Sequence, residues 1–361
     1  MSAYELTGPI LADEDRTVGK AWVVGGRITY ERPRHADTVR VDGWVIPGLV
    51  DMHCHLAVGP SGPVDGELVV KQALTERDAG VLMVRDTGSA TSLDILDGRG
   101  DLPKVYRSGR FIARPKRYLK DYAVEVEPAA LADEAARQAR ASGSWVKIIA
   151  DWIDRDLGEA ADLTPLWSAA QLADAVAAVH TEGARVTAHT FATESLDALL
   201  DAGFDCIEHG TGMTDAHLER AAGAGTPVVP TLLQIGNFAS FAAQAGDRFP
   251  LFAERMQRMY DRRHEHVTKM WEAGVTLLVG TDAGTSIAHG DLAREAAELA
   301  RCIPAADVVA GATWRARRFL GAPVLAEGDP ADLVVLDRDP REEIGVLVAP
   351  RAVMLDGVRV I

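Results

Sequence analysis

Two histidines one residue apart, His53 and His55, close the apolar run Gly48-Leu49-Val50-Asp51-Met52-His53-Cys54-His55. On a strand, side chains alternate between faces, so both imidazoles project to one side and Cys54 to the other. Two neutral imidazoles on one face can hold one metal ion, but two ligands do not complete a site, and packing explains such a pair equally well. Completion has to come from elsewhere in the chain. His189, His209 and Asp282 each stand at the end of an apolar run, and Lys147 interrupts the run Trp145-Val146-Lys147-Ile148-Ile149-Ala150. An unpaired ammonium in such a strand is costly to bury, so Lys147 either meets a carboxylate such as Asp86 or Asp151 or takes part in a metal site.

These residues need elements to position them. Short apolar runs alternate with Ala-rich stretches, which predicts βα units on a parallel sheet. Strands are expected over 44–53, 81–86, 105–112, 145–150, 184–189, 204–209, 227–231 and 275–280, and helices over 66–78, 128–142, 168–182, 193–202, 215–224 and 250–273. Eight strands in this order predict an α/β fold of the (β/α)8 TIM-barrel type, with chemistry at the carboxyl ends of the strands. His55 then follows the first strand, His189 ends the fifth, His209 ends the sixth and Asp282 follows the eighth, so the four converge on one rim. The remaining histidines, His35, His180, His217, His264, His266 and His289, fall in helical or loop contexts and read mostly as surface or capping residues. At the termini, 21–24 and 27–30 flank Gly25-Gly26 as a hairpin, 331–337 reads as a strand and 352–360 as a second hairpin. Neither terminal segment can bury a core alone, so residues 1–43 and 323–361 are expected to form one small β-sandwich domain beside a barrel spanning 44–322.

Composition narrows the partners. The chain has 361 residues, 47% hydrophobic and 25% charged, with a formal net charge of -15. That balance disfavours nucleic acid and anionic membranes and leaves a small-molecule substrate. The sequence contains no uninterrupted apolar run of about 18 residues, the length that would span a bilayer. Glu5, Asp13, Glu14 and Asp15 make the first residues unlike a signal peptide. Cys54, Cys206 and Cys302 lie far apart in apolar or helical contexts, which suits buried thiols in a reducing cytoplasm.

The motifs Pro47 to His55, Gly80-Val81-Leu82-Met83-Val84-Arg85-Asp86, Val146-Lys147-Ile148, Ala188-His189, Ile207-Glu208-His209-Gly210, Gly280-Thr281-Asp282-Ala283-Gly284, His289-Gly290 and Gly328-Asp329-Pro330-Ala331-Asp332-Leu333-Val334 run nearly end to end. In this order they resemble the amidohydrolase superfamily, in the branch of imidazolonepropionase-like proteins and Xaa-Pro dipeptidases (prolidases). The resemblance implies a binuclear site, with His53, His55 and Asp282 on one divalent ion, His189 and His209 on the other, and Lys147 bridging them as N6-carboxylysine. Nitrogen and oxygen donors suit zinc, with manganese or cobalt as alternatives. It further implies that a hydroxide held between the ions attacks an amide carbonyl while Asp282 acts as general base and then general acid.

Tyr118, Tyr122 and Gln234 stand where family members often contact substrate. An Arg117 or Lys120 facing the cavity would recognise a substrate carboxylate and favour a dipeptide or N-acyl amino acid over a cyclic amide. The stretch Asp151-Trp152-Ile153-Asp154-Arg155-Asp156 is more acidic and aromatic than the glycine-rich continuation of prolidases, which leaves the substrate open. Homo-oligomers are common among such proteins. Two other readings stay in play: a one-metal deaminase or imidazolone-ring hydrolase, and a catalytically silent homologue used for binding or assembly.

Overall fold

Gly48 divides what the sequence presents as one long strand. In the computed structural model, which describes residues 3–34 and 37–361 and so leaves His35 outside the described residues, Trp44–Pro47 pairs antiparallel with Leu333–Leu336. After the glycine the chain continues as Leu49–Cys54, here β1, in a different sheet. A Cβ on residue 48 would lie 2.5 Å from the Leu82 side chain, so only glycine lets the chain cross between sheets at this depth. The expected strand over 44–53 is therefore two strands, and its first half belongs with the chain termini.

Those termini form one hydrogen-bonded sheet of eight strands rather than the two sheets of a sandwich. Ala3–Asp13 runs at its centre, and the hairpin of Arg16–Val24 and Arg27–Thr29 forms with Val23 opposite Ile28, as the Gly25-Gly26 turn predicts. The sheet curls until Ile28 and Ala331 hydrogen-bond across its ends, through Asp329 and Gly26 respectively. Leu6, Ile10, Val23, Ile28, Val45, Leu333, Val335 and Met354 fill the curl.

Apart from two short antiparallel pairs, Val58–Gly59 with Gly62–Pro63 and Asp151–Ile153 with Leu163–Pro165, the other strands are parallel, among them β2 (Val81–Asp86), β3 (Lys104–Arg107), β4 (Ile112–Ala113), β5 (Trp145–Ile149), β6 (Arg185–Thr190), β7 (Cys206–His209) and β8 (Val228–Val229). One sheet has the order β3-β2-β1 and the other runs β4-β5-β6-β7-β8, with Val124–Glu125 paired parallel to β4 at its outer edge. Every residue of β1, β2, β5 and β7 is buried, as expected of a parallel sheet covered on both faces. The covering helices show the 3.6-residue stripe. Ala169–Thr181 starts at a capping box between Ser168 and Gln171 and buries Leu172, Ala175, Val176 and Val179.

The expected strand over 105–112 breaks into β3 and β4 around Ser108, whose hydroxyl donates to the Asp86 carbonyl at 2.7 Å. The segment 275–283 makes no ladder of its own, yet it joins the two sheets. Leu278 donates to the Val228 carbonyl on one side, and Met52 and His55 donate to Val279 and Ala283 on the other. No ladder joins β3 to β4 or β5 among the described residues. Among the same residues, no helix is long and apolar enough to cross a membrane.

Gly280 is the tightest point of this seam. A Cβ there would meet the His53 backbone nitrogen at 2.5 Å and the His53 Cβ at 2.7 Å, and backbone cannot swing aside. Gly280→Ala is therefore expected to lower unfolding free energy by ~1–3 kcal/mol, the range for overpacking. Urea denaturation of wild type and variant measures this; an unchanged midpoint would show that the seam has slack.

Candidate metal centre

The end of β1 presents its two imidazoles as the alternation predicts. His53 Nε2 and His55 Nε2 lie 3.2 Å apart, while the Cys54 thiol turns away toward Glu76 and His289. What surrounds each ring fixes its tautomer. His55 Nδ1 sits 2.9 Å from the Gly88 carbonyl, an acceptor only, so this nitrogen carries the proton. His53 Nδ1 lies 2.7 Å from Glu208 Oε2 and is protonated for the same reason. Both Nε2 lone pairs then point inward, where Asp282 Oδ1 approaches to 3.3 Å and 3.0 Å.

The other half of the cluster is built the same way. Thr231 donates its hydroxyl hydrogen to the Pro230 carbonyl, so its oxygen accepts from His209 Nδ1 at 2.8 Å and leaves His209 Nε2 as a lone pair. That lone pair faces His189 Nδ1 at 3.0 Å, whereas His189 Nε2 is buried without a partner. Residues His53, His209 and Asp282 can each turn one ligand atom into a common space. Second partners that hold the tautomer and orient the ring are the usual companions of metal-ligating histidine.

Backbone strain marks the same residues. His209, Thr231 and Asp282 adopt φ of 66°, 52° and 61°, the left-handed region that non-glycine residues seldom enter. Each such residue costs of order 1–3 kcal/mol and persists where neighbours over-determine it. Here they do: Asp282 N–H donates to the His53 carbonyl at 2.6 Å, and the carbonyl of Gly210, next to His209, accepts from His266 Nε2 at 3.0 Å.

Charge is arranged in two layers. Glu208 ion-pairs with Arg85 Nη2 at 2.6 Å and also accepts from the Thr187 hydroxyl. Burial raises its carboxyl, but Arg85, His53 and Lys147 overcome this and hold it well below the usual range. Asp282 is likewise raised by burial and then held far down by His53 and His55. Burial lowers His53, yet Asp282 and Glu208 more than offset it, so His53 is raised. For His55, His189 and His209 burial prevails, and all three are lowered. Lys147 is buried with no partner for Nζ, and burial brings it from 10.5 to about 8. Neither Asp86 nor Asp151 pairs with it. Asp86 accepts from the Leu56 and Gly88 amides, and Asp151 from Thr190 and Phe191.

The cluster opens into a cavity of ≈ 50 Å³ that Tyr118, Tyr122 and Gln234 line, together with Phe111, Trp152 and Phe191. Tyr122 spends its hydroxyl on the Gly59 carbonyl at 3.0 Å, and Gln234 accepts from Ser286 at 2.8 Å. Tyr118 packs its ring on Trp152, 4.8 Å between centroids. Arg117 is not a cavity residue; it pairs with Asp154 at 2.6 Å and Asp156 at 3.2 Å, and Lys120 does not line the cavity either.

Of the remaining described histidines, His217 caps a helix and His180 pairs with Asp205 near the surface. His266 and His289 are corrections to the expectation of surface or capping roles, since the first is buried against Gly210 and the second bonds buried Glu76 at 2.9 Å. Sequence reasoning gave no role to Glu208 or Arg85. The available signal was the one that singled out Lys147, an ionisable side chain inside an apolar run.

The chain is 46% identical over 349 residues to an uncharacterized protein of Mycobacterium tuberculosis (strain H37Rv), covering 95% of this chain and 92% of the relative. It shares its fold with a crystal structure of a Xaa-Pro dipeptidase with methionine bound in the active site, at TM-score 0.84 and 21% identity over 99% of both chains. Aspergillus niger ochratoxinase superposes at TM-score 0.80 with 18% identity, over 99% of this chain and 95% of the other. A profile of the amidohydrolase family matches residues 44–360, and the chain belongs to that family.

Proposed function

We propose that the protein is a hydrolase of amide or closely related carbon–nitrogen bonds that works with two divalent metal ions. The observation that carries this reading is the convergence of acceptors: with both Nδ1 atoms protonated, the lone pairs of His53 and His55 and the carboxylate of Asp282 face one another within 3.3 Å. Such a set is unfavourable without a cation between its members.

In this reading His53, His55 and Asp282 would hold one ion, His189 and His209 the second, and Lys147, as a carbamate, would supply oxygen ligands to the pair. A neutral amine adds carbon dioxide and releases one proton, and burial lowers the ammonium form of Lys147 to about 8, which leaves an appreciable neutral fraction near pH 7.5. The product is an anion with two oxygens, a better neighbour for two cations than an ammonium. Nitrogen and oxygen donors with no thiolate on this face suit zinc.

When bound, the ions polarise the scissile carbonyl and make water acidic near neutral pH. In this reading Asp282 takes the proton from the attacking water and returns it to the departing nitrogen, giving a carboxylic acid and an amine. Glu208 and Arg85 keep His53 oriented, and Tyr118, Trp152 and Phe111 limit water around the reacting carbonyl. The parallel strand order supports a (β/α)8 barrel within 44–322, with 1–43, Trp44–Pro47 and 323–361 forming the small β unit.

Metal analysis of protein purified without chelator should find about two divalent ions per chain. Asp282→Asn should lower amide hydrolysis by roughly 10²–10⁴-fold, the usual contribution of a positioned acid–base group. One ion per chain with ammonia release would favour a deaminase, and a metal-free, inactive chain would favour a silent homologue.

The buried amine supplies a separate test. Its folded value of about 8 lies below its ordinary 10.5, so between these pH values the unfolded chain binds more protons. The Lys147 contribution to the stability of metal-free protein therefore rises with pH across that window, by on the order of 3 kcal/mol. Urea denaturation in carbon-dioxide-free buffer at pH 8 and pH 10 should show this gain in wild type and lose it in Lys147→Met; equal slopes would mean the amine is solvated.

A further inference from the structure

The cavity over the metal cluster is small. At ≈ 50 Å³ it has room for about four water-sized groups, which accommodates a scissile amide but not a whole substrate. The rest has to extend beyond it. Leu119 and Trp152 belong to its wall, and the same two side chains also line a second, larger space of ≈ 490 Å³. The outer groove is walled by Ile153, Leu163, Phe241, Phe249 and Phe252. Leu119, at 38% exposure, is the solvent-facing part of the partition.

Charge is distributed to match. Apart from Lys147, the inner cavity is lined by no lysine or arginine. Neighbouring arginines are turned elsewhere: Arg117 is held by Asp154 and Asp156, Arg110 points to the Ala123 carbonyl and Arg114 to the Leu166 carbonyl. The two cations on the path, Arg155 and Arg248, line the outer groove and are exposed. Beyond the reach of the two ions, a carboxylate on the departing side would be desolvated among Phe111, Tyr118 and Trp152 with no side-chain cation to pair it.

We propose that the substrate is an amide that is uncharged beside its scissile bond and carries an extended apolar group, which runs past Leu119 and Trp152 into the groove of Phe241, Phe249 and Phe252. This rests on the hydrolytic reading above and deepens it: the preferred substrates are N-acyl amides of long aliphatic or aromatic acids, not dipeptides or N-acyl amino acids with a free α-carboxylate.

The test compares octanoylglycinamide with octanoylglycine, which differ only in that carboxylate, and with acetylglycinamide, which lacks the apolar tail, using the zinc-loaded protein. The expected result is at least ~10-fold higher kcat/KM for octanoylglycinamide than for either comparator. Phe241→Ala and Phe252→Ala should each lower the octanoyl-to-acetyl ratio, chiefly through KM. Binding is followed independently by quenching of tryptophan fluorescence, with Trp152→Phe as control. Equal or better turnover of octanoylglycine, or indifference to chain length, overturns the proposal while leaving the enzyme a hydrolase. Absence of turnover for all three, with octanoylglycinamide still binding tighter than both octanoylglycine and acetylglycinamide, overturns the hydrolytic reading and supports the groove. Loss of both turnover and binding preference overturns both.

Discussion

Lone pairs on neighbouring buried atoms repel unless a proton or a cation lies between them, and the rim of the parallel sheet is built against that repulsion. His53 and His55 have their outer nitrogens committed to Glu208 and Gly88, so their inner nitrogens meet Asp282 as acceptors. His209 is committed to Thr231 in the same sense. A chain that spent its hydrogen-bond donors this way without a use for the inner acceptors would lose stability at each ring. The family match gives that use a natural identity, since its members work on small molecules with divalent metals.

Support for the inner layer comes from side chains that never reach the cavity. Arg85 is fully buried, donates to the Met52 carbonyl at 2.8 Å and to Glu208 at 2.6 Å, and stacks over Trp145. It thereby fixes the carboxylate that fixes His53. Asp51 does comparable work on the other side: it accepts from the His53 amide and from both the amide and hydroxyl of Thr281, and so ties β1 to the residue before Asp282. The left-handed backbone at Asp282 is sustained by this knot of contacts, and it aims the carboxylate back toward the imidazoles.

Much of this was legible in the sequence, for identifiable reasons. The two-residue period of a strand placed His53 and His55 together and Cys54 opposite, because that period holds whatever the tertiary context. The apolar neighbours of Lys147 announced a buried amine. The break at Gly48 was hidden because both halves of 44–54 are apolar, and nothing local says that Trp44–Pro47 pairs with Leu333–Leu336 from the far end of the chain. The segment 275–283 reads as a strand because it is buried between two strands, although it forms only scattered bridges. His266 and His289 sit in polar surroundings in sequence and against buried partners in space, and Arg117 faces acidic residues almost forty positions away. Each miss is a partner distant in sequence, which a local pattern cannot name.

The same geometry separates what fixes the chemistry from what can vary. Asp151 accepts from the Thr190 hydroxyl at 2.7 Å and the Phe191 amide at 3.0 Å, so the segment that carries Trp152 is bound to the strand end that carries His189. Trp167 adds a bond from its indole nitrogen to the Ile149 carbonyl at 2.7 Å. One wall of the cavity therefore moves with the metal-facing residues or not at all. The neighbours of Trp152 in the wall, Tyr118 and Leu119, are held by ring contacts and by the Arg117 pairs with Asp154 and Asp156, which are partly solvated and worth little individually. Substitutions at 117–119 can thus reshape access at small cost to the strand ends, whereas substitutions at 151–152 would disturb both together.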